Sequence, residues 1–367
     1  MAGSTYGTIF SITTWGESHG KALGVVIDGC PAGLPLSEED IQIYLDRRKP
    51  GQTALSTPRK ESDKVEILSG VFEGKTTGTP ISLMIPNTSQ KSSDYSQIAF
   101  CYRPGHADYP FDAKYGFRDY RGGGRSSGRE TAGRVAAGAV ALKLLSRLGI
   151  FVCAYTESIG PISIDYGKFD ESAILTTPAC MPDAEASARA ESYLRECQTA
   201  KDSAGGVIAC RIKGLPAGIG EPVFEKLDAS LAKAILSIGA VKAFEMGDGT
   251  LVSTKTGSEN NDAFFMENGV VHKKTNHSGG TLGGISDGCD LFFKAHVKPT
   301  PSIFQPQKTV NREGENITIQ IRGRHDPVIV PRAVVVVQSM AALTVLDLMM
   351  LNMNARVEYL EEFYKKP

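Results

Sequence analysis

Apolar residues recur along this chain with two different periods. Beyond Thr131, the positions Val135, Ala139, Leu142, Leu145 and Leu148 fall at helical spacing and stop at Gly149, a natural C-terminal signal. The preceding Ser127-Gly128-Arg129-Glu130 has the form of a capping box, so this is the best-defined helix in the sequence. Its first half is nearly all small (Ala132, Gly133, Ala136, Ala137, Gly138), which requires another element to approach its backbone closely. Ile317 to Ile321 alternates apolar and polar and reads as a strand. Val334 to Val337 fits a buried strand, whereas Pro331 at a first helical position and the run Met340 to Leu351 favour a helix; periodicity alone does not decide. Thr176 to Asp183 reads as an exposed turn region, and no Pro/Ser-rich linker divides the chain.

The pattern also repeats. Residues 17–33 align without a gap on residues 202–218 at a constant offset of 185. Ser18/Ser203, Gly20/Gly205, Ile27/Ile212, Gly29/Gly214, Pro31/Pro216, Ala32/Ala217 and Gly33/Gly218 are identical, well above the roughly one match that average composition supplies. Each copy reads as a strand (Val25-Val26-Ile27; Val207-Ile208-Ala209), a Pro-Ala-Gly turn, and a helix starting near Ser37 or Pro222. The expectation is one domain, 1–367, with related halves of about 1–185 and 186–367. Only the first copy carries a titratable group at one position, His19 against Ala204.

Composition narrows the class. With 40 Lys+Arg against 41 Asp+Glu, a net charge of -1 and 41% hydrophobic residues in 367, the chain is globular in type, and any attraction to nucleic acid or lipid must come from local clusters. No membrane-length apolar run or N-terminal export signal is legible, which points to the cytoplasm. Seven scattered cysteines without a C-x-x-C pair read as reduced thiols, and the histidines lack metal-ligand spacing, so no metal is expected.

The chemistry concentrates between Arg103 and Arg134, where six arginines and Lys114 face only four acids, and a glycine-rich loop runs into the capped helix. Helix N–H groups and guanidinium forks together make an anion site suited to phosphate or carboxylate. Some of these arginines are candidates for pairing with Asp108, Asp112, Asp119 and Glu130. A second basic group, Asp46 to Gly51, ends the first-half helix, where cations are favourable in their own right. His19 and His106 lie in glycine-flanked loops, which suit exposed proton-transfer groups. Arg324-His325-Asp326-Pro327 follows a strand, a placement that makes Asp326 an exposed reactive carboxylate or merely part of a turn. Glycines at 279–284 and the run Lys298 to Ser302 suit a flat, phosphate-bearing ligand, but neither a G-x-G-x-x-G unit nor a Walker loop occurs. The residues thus call for a multiply anionic small molecule and do not name the reaction.

At these motifs the chain resembles the chorismate synthase family, from Thr5 nearly to the C-terminus: GESHG, YRGGGRSSGRETAGRVAAGA and GRHDP, with RRKPGQ, CYRPGHADYP, GLPAGIGEPVFEKLD, HSGGTLGGISDG and KPTPS in the same order. The resemblance implies an α+β fold with helices sandwiched between two antiparallel sheets, which agrees with the internal duplication, and a homotetramer. It implies a carbon-oxygen lyase that eliminates phosphate and a C6 proton from 5-enolpyruvylshikimate 3-phosphate, in an anti-1,4 sense, with reduced FMN. By motif, His106 would protonate or maintain the reduced flavin, His19 would assist phosphate departure, and Asp326 would help remove the C6 proton through flavin N5. Arg125, Ser126, Ser127, Gly239, Ala240, Gly283, Lys298, Pro299, Thr300, Pro301, Ser302 and Arg324 would contact FMN. Ser18, Arg48 and Arg134 would line the substrate side, so Arg48, Arg125 and Arg134 are expected to converge on one pocket.

One departure stands out: Gln52-Thr53-Ala54-Leu55 lacks the arginine many bacterial members carry shortly after the Pro-Gly, and no extra reductase segment is legible. An external flavin reductant is therefore expected, rather than NADPH acting on this chain. The rivals are an RNA-binding protein using the Arg121–Arg125 RGGGR segment and a flavin-independent phosphate-handling enzyme.

Overall fold

The structure, a computed structural model, describes residues 3–51, 61–88, 99–321 and 326–365. Two five-stranded sheets carry the fold. The first is built from β1 (Thr5–Tyr6), β2 (Ser11–Gly16), β3 (Ala22–Asp28), β4 (Glu66–Ile67) and β5 (Ile81–Pro86), in the order β1-β2-β3-β5-β4. The second holds β6 (Phe151–Ile159), β7 (Ile162–Ser163), β8 (Gly206–Lys213), β9 (Val241–Met246) and β10 (Leu291–Val297), in the order β9-β10-β8-β6-β7. All pairings within both are antiparallel. Alternation of buried and half-buried residues along β5 and β10 turns Ile81, Leu83 and Ile85, and Leu291, Phe293, Ala295 and Val297, into the core. With eight α-helices among the described residues, the chain is of the α+β class.

The helices are α1 (Glu38–Arg48), α2 (Asp108–Tyr115), α3 (Thr131–Arg147), α4 (Ala184–Thr199), α5 (Leu227–Leu236), α6 (Gly257–Asn260), α7 (Val330–Leu351) and α8 (Val357–Tyr364). Helix α3 packs against β2, β3 and β5 of the first sheet and against α7, while α7 packs against β6 and β8 of the second. The small face of α3 makes both approaches possible. A methyl at Gly133 would meet the carbonyl oxygen of Gly24 on β3 at 3.0 Å, and one at Gly138 would overlap Ser339 of α7.

Residues 330–351 are therefore helical throughout, with Pro331 in the first turn as its missing N–H allows. By length and composition α7 and the turn after it could cross a membrane, but 78% of the apolar window is buried inside the protein. Toward its end, Asp347 accepts the N–H groups of Thr8, Ile9 and Phe10 at 2.9, 2.7 and 3.0 Å, tying the loop between β1 and β2 to the far end of the chain.

The two Pro-Ala-Gly turns are bonded alike. In the first, Thr76 Oγ1 donates to Pro31 O at 2.7 Å and accepts from Leu34 N–H; in the second, Ser286 Oγ donates to Pro216 O at 2.6 Å and accepts from Ile219 N–H. Past the turns the two copies diverge. Helix α1 starts after Ser37, but α5 starts only at Leu227, not near Pro222, because Gly220 and Val223 have φ of +113° and +68°, outside helical space. The region Thr176 to Asp183 is likewise not an exposed turn: Ala179, Met181 and Asp183 are buried, and Asp183 caps α4 by accepting the N–H groups of Glu185 and Ala186. The capping box ahead of α3 is half formed. Ser127 accepts from Arg129 N–H, but Glu130 turns instead to Arg134 at 3.0 Å, and a 3-10 turn precedes the helix.

Candidate active site

A cleft of about 480 Å³ opens where five segments meet: the end of α1, the loop 103–107, the glycine-rich stretch 122–129, the turn 239–240 after α5, and residues 298–302 after β10. The approach to α7 closes it with Asp326, Ile329 and Arg332. Gly122, Gly123 and Gly124 run at φ of +68°, +85° and +52°, a succession of left-handed residues that only glycine adopts without strain. This tight bend turns the chain into the 3-10 turns that lead to α3, and any side chain at Gly122 would overlap the imidazole of His19.

Six cations line the cleft, Arg48, Arg103, Arg129, Lys242, Lys298 and Arg332, against the carboxylates of Glu61 and Asp326. Three buried acids fix four of these cations. Asp63 takes Arg48 Nη2 at 2.5 Å on one oxygen and Arg129 on the other. Asp108 holds Arg103 in a fork, with both bonds at 2.8 Å. Asp326 pairs with Arg332, whose Nε donates to the carbonyl of Arg48 at 3.1 Å. Burial alone would push the Asp63 carboxyl up, but Arg48 and Arg129 outweigh it and hold it below the usual carboxylate range. Burial, and then the neighbouring Lys242, lower Lys298. Six cations against two lining carboxylates suit the cleft to an anionic guest.

His106 is fixed at both nitrogens. Nδ1 lies 3.0 Å from the carbonyl of Pro104, which can only accept, so Nδ1 carries the proton. Nε2, 3.0 Å from Ser302 Oγ, is therefore the acceptor of the serine hydroxyl. Burial, and then the charge of Arg103, depress this imidazole to about 4, so it stands neutral at neutral pH.

The sequence-predicted residues divide accordingly. Arg48, His106, Ser126, Ser127, Gly239, Ala240, Lys298, Thr300, Pro301, Ser302 and Asp326 line the cleft. Asp326 is 9% exposed and His19 7%, so neither is the exposed group its glycine- or proline-flanked loop suggested. Ser18 and His19, whose Oγ and Nδ1 lie 3.2 Å apart, stand one layer back, behind Gly122. Pro299 packs on Gly205, and Gly283 lies in the ribbon Thr281–Ser286, both outside the cleft wall. Arg125 spends its guanidinium on Gly16 O, Ser4 Oγ and Thr14, and Arg134 on Glu130 and Ser237, so within one chain these two do not join Arg48 in the cleft. Arg324, with its neighbour His325 and with Gln52 to Leu55, lies outside the described residues.

Sequence reasoning gave no role to Arg332, Lys242, Glu61 or Asp63, and assigned Arg103 and Arg129 only to the general cluster. The last two were countable in the arginine-rich stretch, and Lys242 follows two residues after the motif-assigned Ala240; Glu61, Asp63 and Arg332 sit in segments with no motif character. No group of three or more His, Cys, Asp or Glu able to hold a metal occurs among the described residues, and all seven cysteines are free.

Comparison with known proteins points the same way. The family model described as chorismate synthase matches residues 10–350. Among curated proteins, the chorismate synthase of Lachnoclostridium phytofermentans is 66% identical over 367 residues, covering all of both chains, and that of Agathobacter rectalis is 64% identical over 366, again covering both in full. Among solved structures, a chorismate synthase crystal structure superposes with a TM-score of 0.75 at 30% identity, covering 98% of this chain and 97% of that one. With a family model matched over residues 10–350 and relatives of 66% and 64% identity over their full length, the chain belongs to the chorismate synthase family.

Proposed function

We propose that this chain is a carbon-oxygen lyase acting on 5-enolpyruvylshikimate 3-phosphate, eliminating phosphate and the C6 proton in an anti-1,4 sense to give chorismate, the last common step of the shikimate pathway. The observation that carries this reading is the convergence of six cations on one cleft, since a substrate with two carboxylates and a phosphate must be paired wherever it is buried. Anaerobic addition of the substrate and reduced FMN should release phosphate and chorismate in equal amounts. A wild-type protein that binds both yet releases neither would refute the reading.

The cleft also suits reduced FMN. Thr300 Oγ1 is buried without a hydrogen-bond partner among the described residues, a methyl at Gly239 would touch nothing within 4 Å, and Ala240 is held at φ +74° beside it. Ser126, Ser127, Gly239, Ala240, Lys298, Thr300, Pro301 and Ser302 would hold the flavin and its phosphate, with Arg125, Pro299, Gly283 and Arg324 assigned by motif alone. Bound reduced FMN supplies the electron density that eases departure of an unactivated allylic phosphate. Arg48 would orient the substrate, with Ser18, His19 and Arg134 assigned to that side by motif. Neutral His106 accepts the Ser302 hydroxyl at Nε2, so the two side chains together would carry a proton at the cleft wall. Asp326, its carboxylate oriented by Arg332, would help remove the C6 proton as a base in relay.

Flavin reduction is assigned to an external reductant; full turnover with NADPH and FMN alone would overturn that. The matched turn hydroxyls support an internally duplicated single domain, 1–367, and the packing of α3 and α7 onto opposite sheets supports a helical layer between them. The assembly is taken as a cytoplasmic homotetramer, for which a stable active monomer in sedimentation would be fatal.

A further inference from the structure

Asp63 has no surface exposed and a left-handed backbone, φ +46°, which a non-glycine residue keeps only where its surroundings hold it. What holds it is Gln42 of α1, whose Nε2 donates to Asp63 O at 3.3 Å and whose Oε1 accepts from Val65 N–H at 3.1 Å. The side chain then divides its two oxygens between guanidiniums from different elements. Oδ2 takes Arg48 from the end of α1, and Oδ1 takes Arg129 from the turn before α3. Both arginines line the cleft and Asp63 does not. Each has a further anchor, Arg48 Nη1 on Gly128 O at 3.3 Å and Arg129 Nε on Asn87 Oδ1 at 2.9 Å, while Arg48 Nε is buried with no partner among the described residues. Two guanidiniums so close repel one another unless an anion lies between them, and without one they turn toward separate partners.

We infer that Asp63 is a positioning residue for the elimination proposed above: it touches neither reactant and presets Arg48 and Arg129 as one rigid pair for a single anionic group of the substrate. Preorganisation of this kind tightens binding because the arginines do not have to be ordered when the anion arrives. The inference rests on the proposed function, and the test separates the two.

Steady-state turnover of 5-enolpyruvylshikimate 3-phosphate with reduced FMN is measured for the full-length wild type, Asp63→Asn, Arg48→Lys and the double variant. Asp63→Asn should raise KM about 10-fold or more and change kcat less than about 3-fold. A group that acts through the arginines should lose most of its effect once Arg48 is shortened, so in the Arg48→Lys background the same substitution should raise KM by less than about 3-fold. No turnover by the wild type would sink the function and this inference with it. Turnover by the wild type with an unchanged KM in Asp63→Asn, a fall in kcat alone, or effects that simply multiply in the double variant would overturn the inference and leave the function standing. Should Asp63→Asn fail to fold, Gln42→Ala decides: it loosens the Asp63 backbone without touching a charge, and a KM raised about 3-fold supports positioning whereas an unchanged KM overturns it.

Discussion

The Ser302 hydroxyl sits 3.0 Å from Nε2 of His106 and, because the carbonyl of Pro104 claims the Nδ1 proton on the other side of the ring, it donates to that nitrogen. The imidazole is thus locked in one tautomer. Nitrogen-detected NMR of ring-labelled protein should find His106 as the neutral Nδ1–H form at pH 6, where an ordinary histidine is largely protonated. An Nε2–H or doubly protonated ring at that pH would contradict the geometry.

The same group sets part of the acid stability. In the unfolded chain His106 takes a proton near its ordinary 6.5, but in the folded protein only near about 4. Between those values the unfolded state binds more protons, so stability falls as pH drops from 6.5 toward 4 and is fully present above 6.5. His106→Asn should flatten that stretch of a pH series of urea midpoints. An unaltered slope would mean that other groups carry it.

Asp326→Asn and His106→Ala should retain FMN, followed by quenching of flavin fluorescence, and lose turnover by about 10²–10⁴-fold, the usual contribution of a placed proton-transfer group. Near-normal rates would remove them from the mechanism.

Arg129→Met leaves Asp63 buried with one cation in place of two. Loss of one partner of a buried ion pair costs about 3–5 kcal/mol, so chemical denaturation should register a drop of that size. The sign with pH comes from the lowered Asp63 carboxyl: its contribution is present above the ordinary carboxylate range and is lost as pH falls below it, so the variant should be less sensitive to acid than the wild type. Equal acid sensitivity would point away from Asp63.

At the crossing of α3 and α7, Gly138→Ala forces a methyl into Ser339, and overpacking of this type costs about 1–3 kcal/mol. A thermal midpoint lowered by several degrees should be restored only in part by adding Ser339→Gly, because the Cα of residue 339 itself lies 2.7 Å from the position of the new methyl. If the second change restores nothing, the two helices are not in the contact described.

Legibility in the sequence depends on what each residue needs. Gly122 to Gly124 and the small face of α3 are written openly because backbone conformation and close approach leave few alternatives to glycine and alanine. His106 stands out between Gly105 and Asp108 for the same reason. Arg125 and Arg134 were legible as cations but not as to direction, since their partners Thr14 and Ser237 are more than a hundred residues away in sequence. Asp63 lies in a short polar stretch with nothing to mark it, because its importance depends on where α1 and the turn before α3 meet. Val334 to Val337 reads as strand or helix because a helix buried on all sides loses its periodicity, and Pro331 with the run Met340 to Leu351 supplied the signs for a helix.

The carboxylate of Asp347 reaches the amides of Thr8 to Phe10 from the far side of both sheets in sequence. Donors and acceptor are separated by 337 to 339 residues, so the opening hairpin stays unsealed until α7 has docked beside it. Sealing that hairpin is thus a long-range event, and loss of the one carboxylate deprives three consecutive backbone donors of their acceptor together.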